Sequence, residues 1–163
     1  MPGRLQLRRI LVPVNGGALD EQTVQLAAET AQRTGGDLTL VSVVVVDRTL
    51  PLDAELPEAV AKAEAALDRA ERIADRCGVT HTSELLQARA TGPAIVDEAR
   101  TRGVDLIVLG IAYRKRFGEF YLGQTTPFVL EHAPCRTWVV REKREAEASA
   151  ESSSAEPAVA ERA

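Results

Sequence analysis

Residues 37–46 read Asp-Leu-Thr-Leu-Val-Ser-Val-Val-Val-Val, with apolar side chains falling on both sides of any strand the segment forms. Successive side chains of a strand point to opposite faces, so such a strand must be covered on both. That requirement selects a parallel sheet between two helical layers, and the rest of the chain supplies the parts. The β-branched run Arg9-Ile10-Leu11-Val12-Pro13-Val14 leads into the turn Asn15-Gly16-Gly17. Asp105-Leu106-Ile107-Val108-Leu109-Gly110 is the clearest strand, and weaker ones are predicted at residues 83–88 and, after Pro134, at 137–140.

Helical spacing fills the gaps. Val24, Ala27, Ala28 and Ala31 form one stripe over residues 19–34, and Val60, Ala63, Leu67, Ala70, Ile73 and Ala74 form another over 57–77. Shorter helices are predicted at 91–102, with Ala94, Ile95 and Ala99 inward, and at 125–131. Residues 47–56 and 112–119 read as loops. Strands and helices alternating in one direction imply right-handed crossovers, hence a doubly wound, five-stranded parallel α/β fold with helices on both faces. The domain spans residues 1–141. An acidic Ala/Glu/Ser-rich tail follows over 142–163, with no apolar stripe, and disorder is expected beyond Ser152.

A chain of 163 residues can bury one continuous core, and at 4% aromatic content that core must be Val, Leu, Ile and Ala. A net charge of −4 gives no ground for nucleic-acid binding, and no apolar run approaches the roughly 20 residues of a membrane span. Arg8 and Arg9 interrupt the place of an apolar targeting segment, so a cytoplasmic protein is expected. Cys77 and Cys135 match no metal or redox spacing and read as reduced thiols; no metal is assigned.

Ligands of open parallel sheets bind beyond the carboxyl ends of the strands. Asn15-Gly16-Gly17 is one such turn. The other runs from Gly110 through the cationic Arg114-Lys115-Arg116 and Gly118 to Gly123-Gln124-Thr125-Thr126, which opens a helix. Free N–H groups at a helix start, with three cations nearby, suit a phosphate, although the same cations also fit an ordinary solvated loop. His81 and His132 lie outside both turns and read as structural. No H-E-x-x-H, G-x-S-x-G or phosphate-loop G-K-[ST] signature is present, so an enzyme, such as a slow nucleotide hydrolase, ranks last.

Over residues 7–141 the chain resembles the universal stress protein family. Ile10-Leu11-Val12-Pro13-Val14 is similar to that family's first strand, Asp105 to Gly110 to its fourth, and Ala133-Pro134-Cys135-Arg136-Thr137-Trp138-Val139-Val140 to its final segment. The resemblance implies the strand order 3-2-1-4-5, an adenine nucleotide as ligand, and a homodimer joined through the last strand at Trp138, Val139 and Val140. ATP-binding members carry Gly, two residues, Gly, nine residues, Gly, then Ser or Thr. In that frame Gly110 and Gly123 match, while Tyr113 replaces the second glycine and Gln124 the hydroxyl residue, one place before Thr125. Asn15 stands where the acidic residue of the first turn is usual. These departures weigh against ATP itself and leave another nucleotide or related anion open.

The candidate ligand-binding set is therefore Pro13, Asn15, Val43, Gly110, Tyr113, Arg114, Arg116, Gly123, Gln124 and Thr125, with no catalytic residue. A regulatory or stress-response module that binds without turnover is expected. The alternative is a ligand-free dimeric interaction protein, with an unidentified partner, acting through residues 113–121. Tyr113, Phe117, Phe120 and Tyr121 there either anchor the partner, or Phe117, Phe120 and Tyr121 fold the loop down onto the sheet.

Overall fold

The computed structural model describes residues 5–143. Along the chain run β1 (Arg9–Pro13), α1 (Asp20–Thr34), β2 (Asp37–Val45), α2 (Pro57–Arg76), β3 (His81–Ala88), α3 (Thr91–Arg102), β4 (Leu106–Ile111), β5 (Lys115–Arg116), β6 (Glu119–Phe120), α4 (Thr125–His132) and β7 (Arg136–Arg141). The main sheet has the order β3-β2-β1-β4-β7 with every pairing parallel, which is the 3-2-1-4-5 arrangement expected. Chain direction reverses its march across the sheet between β1 and β4. The carboxyl ends of those two strands form the crevice.

The period of two along each strand sorts the core into two layers. Ile10, Val12, Leu38, Leu40, Leu106 and Val108 face α1 and α2, meeting Val24, Ala27, Ala28 and Ala31 from the first and Ala66, Ala70, Ile73 and Ala74 from the second. Leu11, Val41, Ile107 and Leu109 face the other way, onto Ile95, Val96 and Ala99 of α3 and Val129 of α4. Small alanines let the helices lie close, and β-branched and leucine side chains of the strands fill the remaining volume. Asp105 ties the amino ends together: its Oδ2 accepts the N–H groups of Arg8 and Arg9, at 3.1 and 2.9 Å.

Pro57 opens α2 as expected. The third strand begins two residues earlier than its hydrophobicity indicates, because β2 is long enough to pair with it from His81 onward. The larger difference lies in the loop predicted at 112–119. It folds into a two-stranded antiparallel ribbon, Lys115 opposite Phe120 and Arg116 opposite Glu119. Its two-residue turn holds Phe117 at φ 53 and Gly118 at φ 79. Positive φ at both places is the turn geometry that matches strand twist. Asn or Asp normally fills the first place, so Phe117 gives no sequence signal for it. The rings do not fold onto the sheet: Phe117 is 94% exposed, and Phe120 and Tyr121 are also exposed.

The tail expected from residue 142 lies, beyond Lys143, outside the described residues. No helix among the described residues is long and apolar enough to cross a membrane. Cys77 and Cys135 are both free. Burial pushes the Cys135 thiol up, helped by the nearby Asp105 charge and opposed by a backbone hydrogen bond to Ile107.

Candidate functional site

A cavity of about 390 Å³ opens at the carboxyl ends of β1, β2 and β4. That volume lies within the roughly 300–1,000 Å³ of small-molecule pockets. Of the residues expected from the sequence, Pro13, Asn15, Val43, Gly110, Arg114, Gly123, Gln124 and Thr125 line it, and so does Thr126. Residues nearly a hundred positions apart in the chain meet here because β1 and β4 are neighbours in the sheet, Ile10 beside Leu106 and Leu11 beside Ile107.

One part of the lining is apolar: Pro13, Val41 and Val43 from β1 and β2, Ile95 from α3, and Leu109 from β4. Another is polar and carries a cation. Gly123 takes φ 73, a conformation open to glycine at little cost, and turns the chain into α4. That helix starts without a side-chain cap. The N–H groups of its first turn, and the positive end of its dipole, are left for a ligand. Arg114 lines the same cavity.

Gly110, which lines the cavity, also meets a packing demand. A Cβ there would fall well inside contact distance of the Thr23 Oγ1, with the Leu19 and Thr23 Cβ atoms each at 3.5 Å. The glycine lets α1 close against the end of β4. Tyr113 and Arg116 do not line the cavity. The Tyr113 ring stacks on Phe120, centroids 5.3 Å apart, and the Arg141 guanidinium lies 5.2 Å from its centre. Arg116 lies 5.5 Å from the Phe117 and Tyr121 rings. Both belong to the arm that leaves the sheet after β4: Tyr113 precedes β5, and Arg116 lies at the ribbon's turn, two residues beyond Arg114. Asn15 bends back on its own turn, its Oδ1 accepting the Gly17 N–H at 2.8 Å.

The residue that the sequence reading missed is Asp20. It lines the cavity, and its Oδ2 accepts the N–H groups of Asn15 (3.0 Å) and Gly16 (2.7 Å). A carboxylate in the first turn of α1 is a recognisable signal for such a turn-closing role. The burial of Asp20 pushes its carboxyl above the usual aspartate range, opposed by those two N–H groups and by Arg69. An acid whose folded-state pKa is raised binds its proton more tightly when folded. The charged form therefore subtracts stability above that pKa, and the loss disappears as the pH falls through it. Asp20→Asn is accordingly expected to gain stability relative to the parent as the pH rises from 3.8 upward. Urea unfolding of both proteins across that range reads it, and a constant difference would reject it.

The two histidines stay away from the cavity. His81 Nε2 lies 2.8 Å from Asp75 Oδ1, and His132 Nδ1 lies 2.9 Å from the Phe128 carbonyl. Among the described residues, no group of three or more His, Cys, Asp or Glu side chains could hold a metal ion.

Three comparisons bear on this architecture. The profile of the universal stress protein family matches residues 6–141. A universal stress protein of Staphylococcus haemolyticus is 29% identical over 143 residues, covering 84% of this chain and 86% of its own. A solved universal stress protein of Archaeoglobus fulgidus superposes with a TM-score of 0.70 at 25% identity, covering 82% of this chain and 98% of that one. A universal stress protein of the same organism, solved in complex with dAMP, gives 0.65 at 21% identity, covering 84% and 99%. With the family profile spanning nearly all the described residues and the sheet order agreeing, the chain belongs to the universal stress protein family.

Proposed function

We propose that this chain is a stress-response or regulatory module that holds an adenine nucleotide, without turning it over, in the cavity at the carboxyl ends of β1 and β4. One observation carries the reading: an apolar lining (Pro13, Val41, Val43, Ile95) and an anion-seeking one (Arg114 and the uncapped start of α4) share a single cavity. The apolar part suits a base, and the N–H groups with Arg114 suit a phosphate. Asn15 and Asp20, which present oxygen acceptors, suit sugar hydroxyls. The dAMP bound by the Archaeoglobus fulgidus relative supports this class of ligand.

A thermal-shift titration with AMP, cyclic AMP and ATP tests it, since whatever binds only the folded state raises the melting temperature. Arg114→Ala is expected to weaken the nucleotide that responds by roughly tenfold, the range of a charge-assisted hydrogen bond. Arg116→Ala, off the cavity, is expected to change it less than about twofold. Equal losses from both would discard the assignment.

The exposure of Phe117, at 94%, favours a second reading. It is a dimeric interaction protein, joined at the open edge of β7 through Trp138, Val139 and Val140, that presents the ribbon to a partner. A flat thermal response together with a dimer in sedimentation would select it. A ligand response from a monomer would discard it.

A further inference from the structure

The ribbon β5–β6 and the residue before it concentrate positive charge, three cations against one carboxylate. Arg114, Lys115 and Arg116 are exposed and form no ion pair among the described residues. Glu119, across from Arg116, is the ribbon's one carboxylate. Like charges held side by side repel one another and attract an acidic segment.

The chain carries such a segment, and it begins at this spot. Residues 144–163 hold Glu145, Glu147, Glu151, Glu156 and Glu161 against Arg144 and Arg162. The last described residues are pinned to the foot of the ribbon. The Glu142 N–H donates to the Ile111 carbonyl at 3.0 Å, and Glu142 Oε2 accepts the Tyr113 N–H at 3.2 Å. Tyr113 immediately precedes the cationic run. Polypeptides of this length reach roughly 25 Å between their ends when unstructured. Tethering at that distance gives an effective concentration on the order of millimolar, so individually weak pairs suffice.

We propose that the acidic C-terminal segment docks through its glutamates on Arg114, Lys115 and Arg116 of its own chain. Because Arg114 also lines the cavity, the docked segment competes with a bound anion; this second half rests on the nucleotide reading above. A free acidic partner or a second copy would meet the same cations, but only the chain's own segment is anchored beside them.

Zero-length carbodiimide coupling of the full chain, read by mass spectrometry on a mixture of isotope-labelled and unlabelled protein, tests the docking. Lys115 is expected to couple to Glu145, Glu147 or Glu151 of the same chain, with Lys62 on α2 as the internal control. The coupling is expected to vanish in about 1 M salt, where the screening length falls to about 3 Å. Coupling only between chains, or no more at Lys115 than at Lys62, overturns the docking. For competition, a chain ending at Lys143 is expected to bind AMP roughly three- to tenfold tighter than the full chain at low salt. Lys115 coupling with unchanged AMP affinity overturns the competition. Absence of AMP binding in both forms overturns the nucleotide reading and the competition with it, while Lys115 coupling still upholds the docking.

Discussion

Gly110→Ala is expected to destabilise the protein by about 2 kcal/mol, and adding Thr23→Ala is expected to return most of that loss. The new Cβ has nowhere to go, because the Thr23 hydroxyl already occupies its place. Thr23 is buried, and its Oγ1 donates to the Leu19 carbonyl at 2.8 Å, so it cannot swing aside without losing that bond. Removing the hydroxyl clears the space. It leaves the Leu19 carbonyl with the Thr23 backbone N–H at 3.0 Å, so the single variant Thr23→Ala should cost only about 1 kcal/mol. The two changes therefore couple favourably, by more than about 1 kcal/mol in a double-mutant cycle from urea unfolding. Simple additivity would mean that Gly110 is not held by α1. Nucleotide binding by the rescued double variant carries a second message: recovered binding would show that Gly110 serves the fold of the site rather than contact with a ligand.

Gly36→Ala is expected to cost about 3 kcal/mol or more, with no side-chain substitution able to rescue it. Its Cβ would sit 2.5 Å from the Arg8 carbonyl oxygen and 2.8 and 2.9 Å from the Arg8 Cα and carbonyl carbon. All three are backbone atoms. They are also where β1 and β2 start to pair, since the Asp37 N–H donates to the same Arg8 carbonyl at 2.7 Å. The alanine variant must open that junction, beneath buried Ile10 and Leu38. A thermal melt is expected to fall by several degrees for each kcal/mol lost. A melt within a degree of the parent would show that the strands can part there freely.

The main sheet was legible because β1, β2 and β4 are dense apolar runs and the helices between them keep apolar stripes at helical spacing, which leaves the weaker third and last strands to be placed by the alternation of elements. Residues 37–46 alone demanded two covering layers, and Val41 and Leu40 do face opposite ones. Strand order was a different matter. Spacing says nothing about which strands are neighbours, and the order came only with the family resemblance carried by Ile10 to Val14 and Asp105 to Gly110. The ribbon was hidden because Phe117 occupies a left-handed position that turn chemistry reserves for Asn, Asp or Gly. Its outward course then decided the fate of two expected site residues, Tyr113 and Arg116. Asp20 escaped notice for the opposite reason. It stands beyond the glycine turn, on a helix whose first residues look merely solvated, and only the fold back onto Asn15 and Gly16 brings its carboxylate to the cavity.

The position of β1 at the centre of the sheet has a consequence for synthesis. Its neighbour β2 leaves the ribosome soon after it, and the two can pair while the chain is still growing. Its other neighbour, β4, is nearly a hundred residues downstream. Any half-sheet that β1, β2 and β3 form in that interval has the β1 backbone as its open side, with Ile10 and Leu11 still unpaired with β4. An unpaired parallel edge made of apolar residues is a sticky surface. Slow translation between residues 40 and 106 would prolong that exposure, and when β4 takes its place beside β1 the open edge passes to β4 until β7 pairs with it.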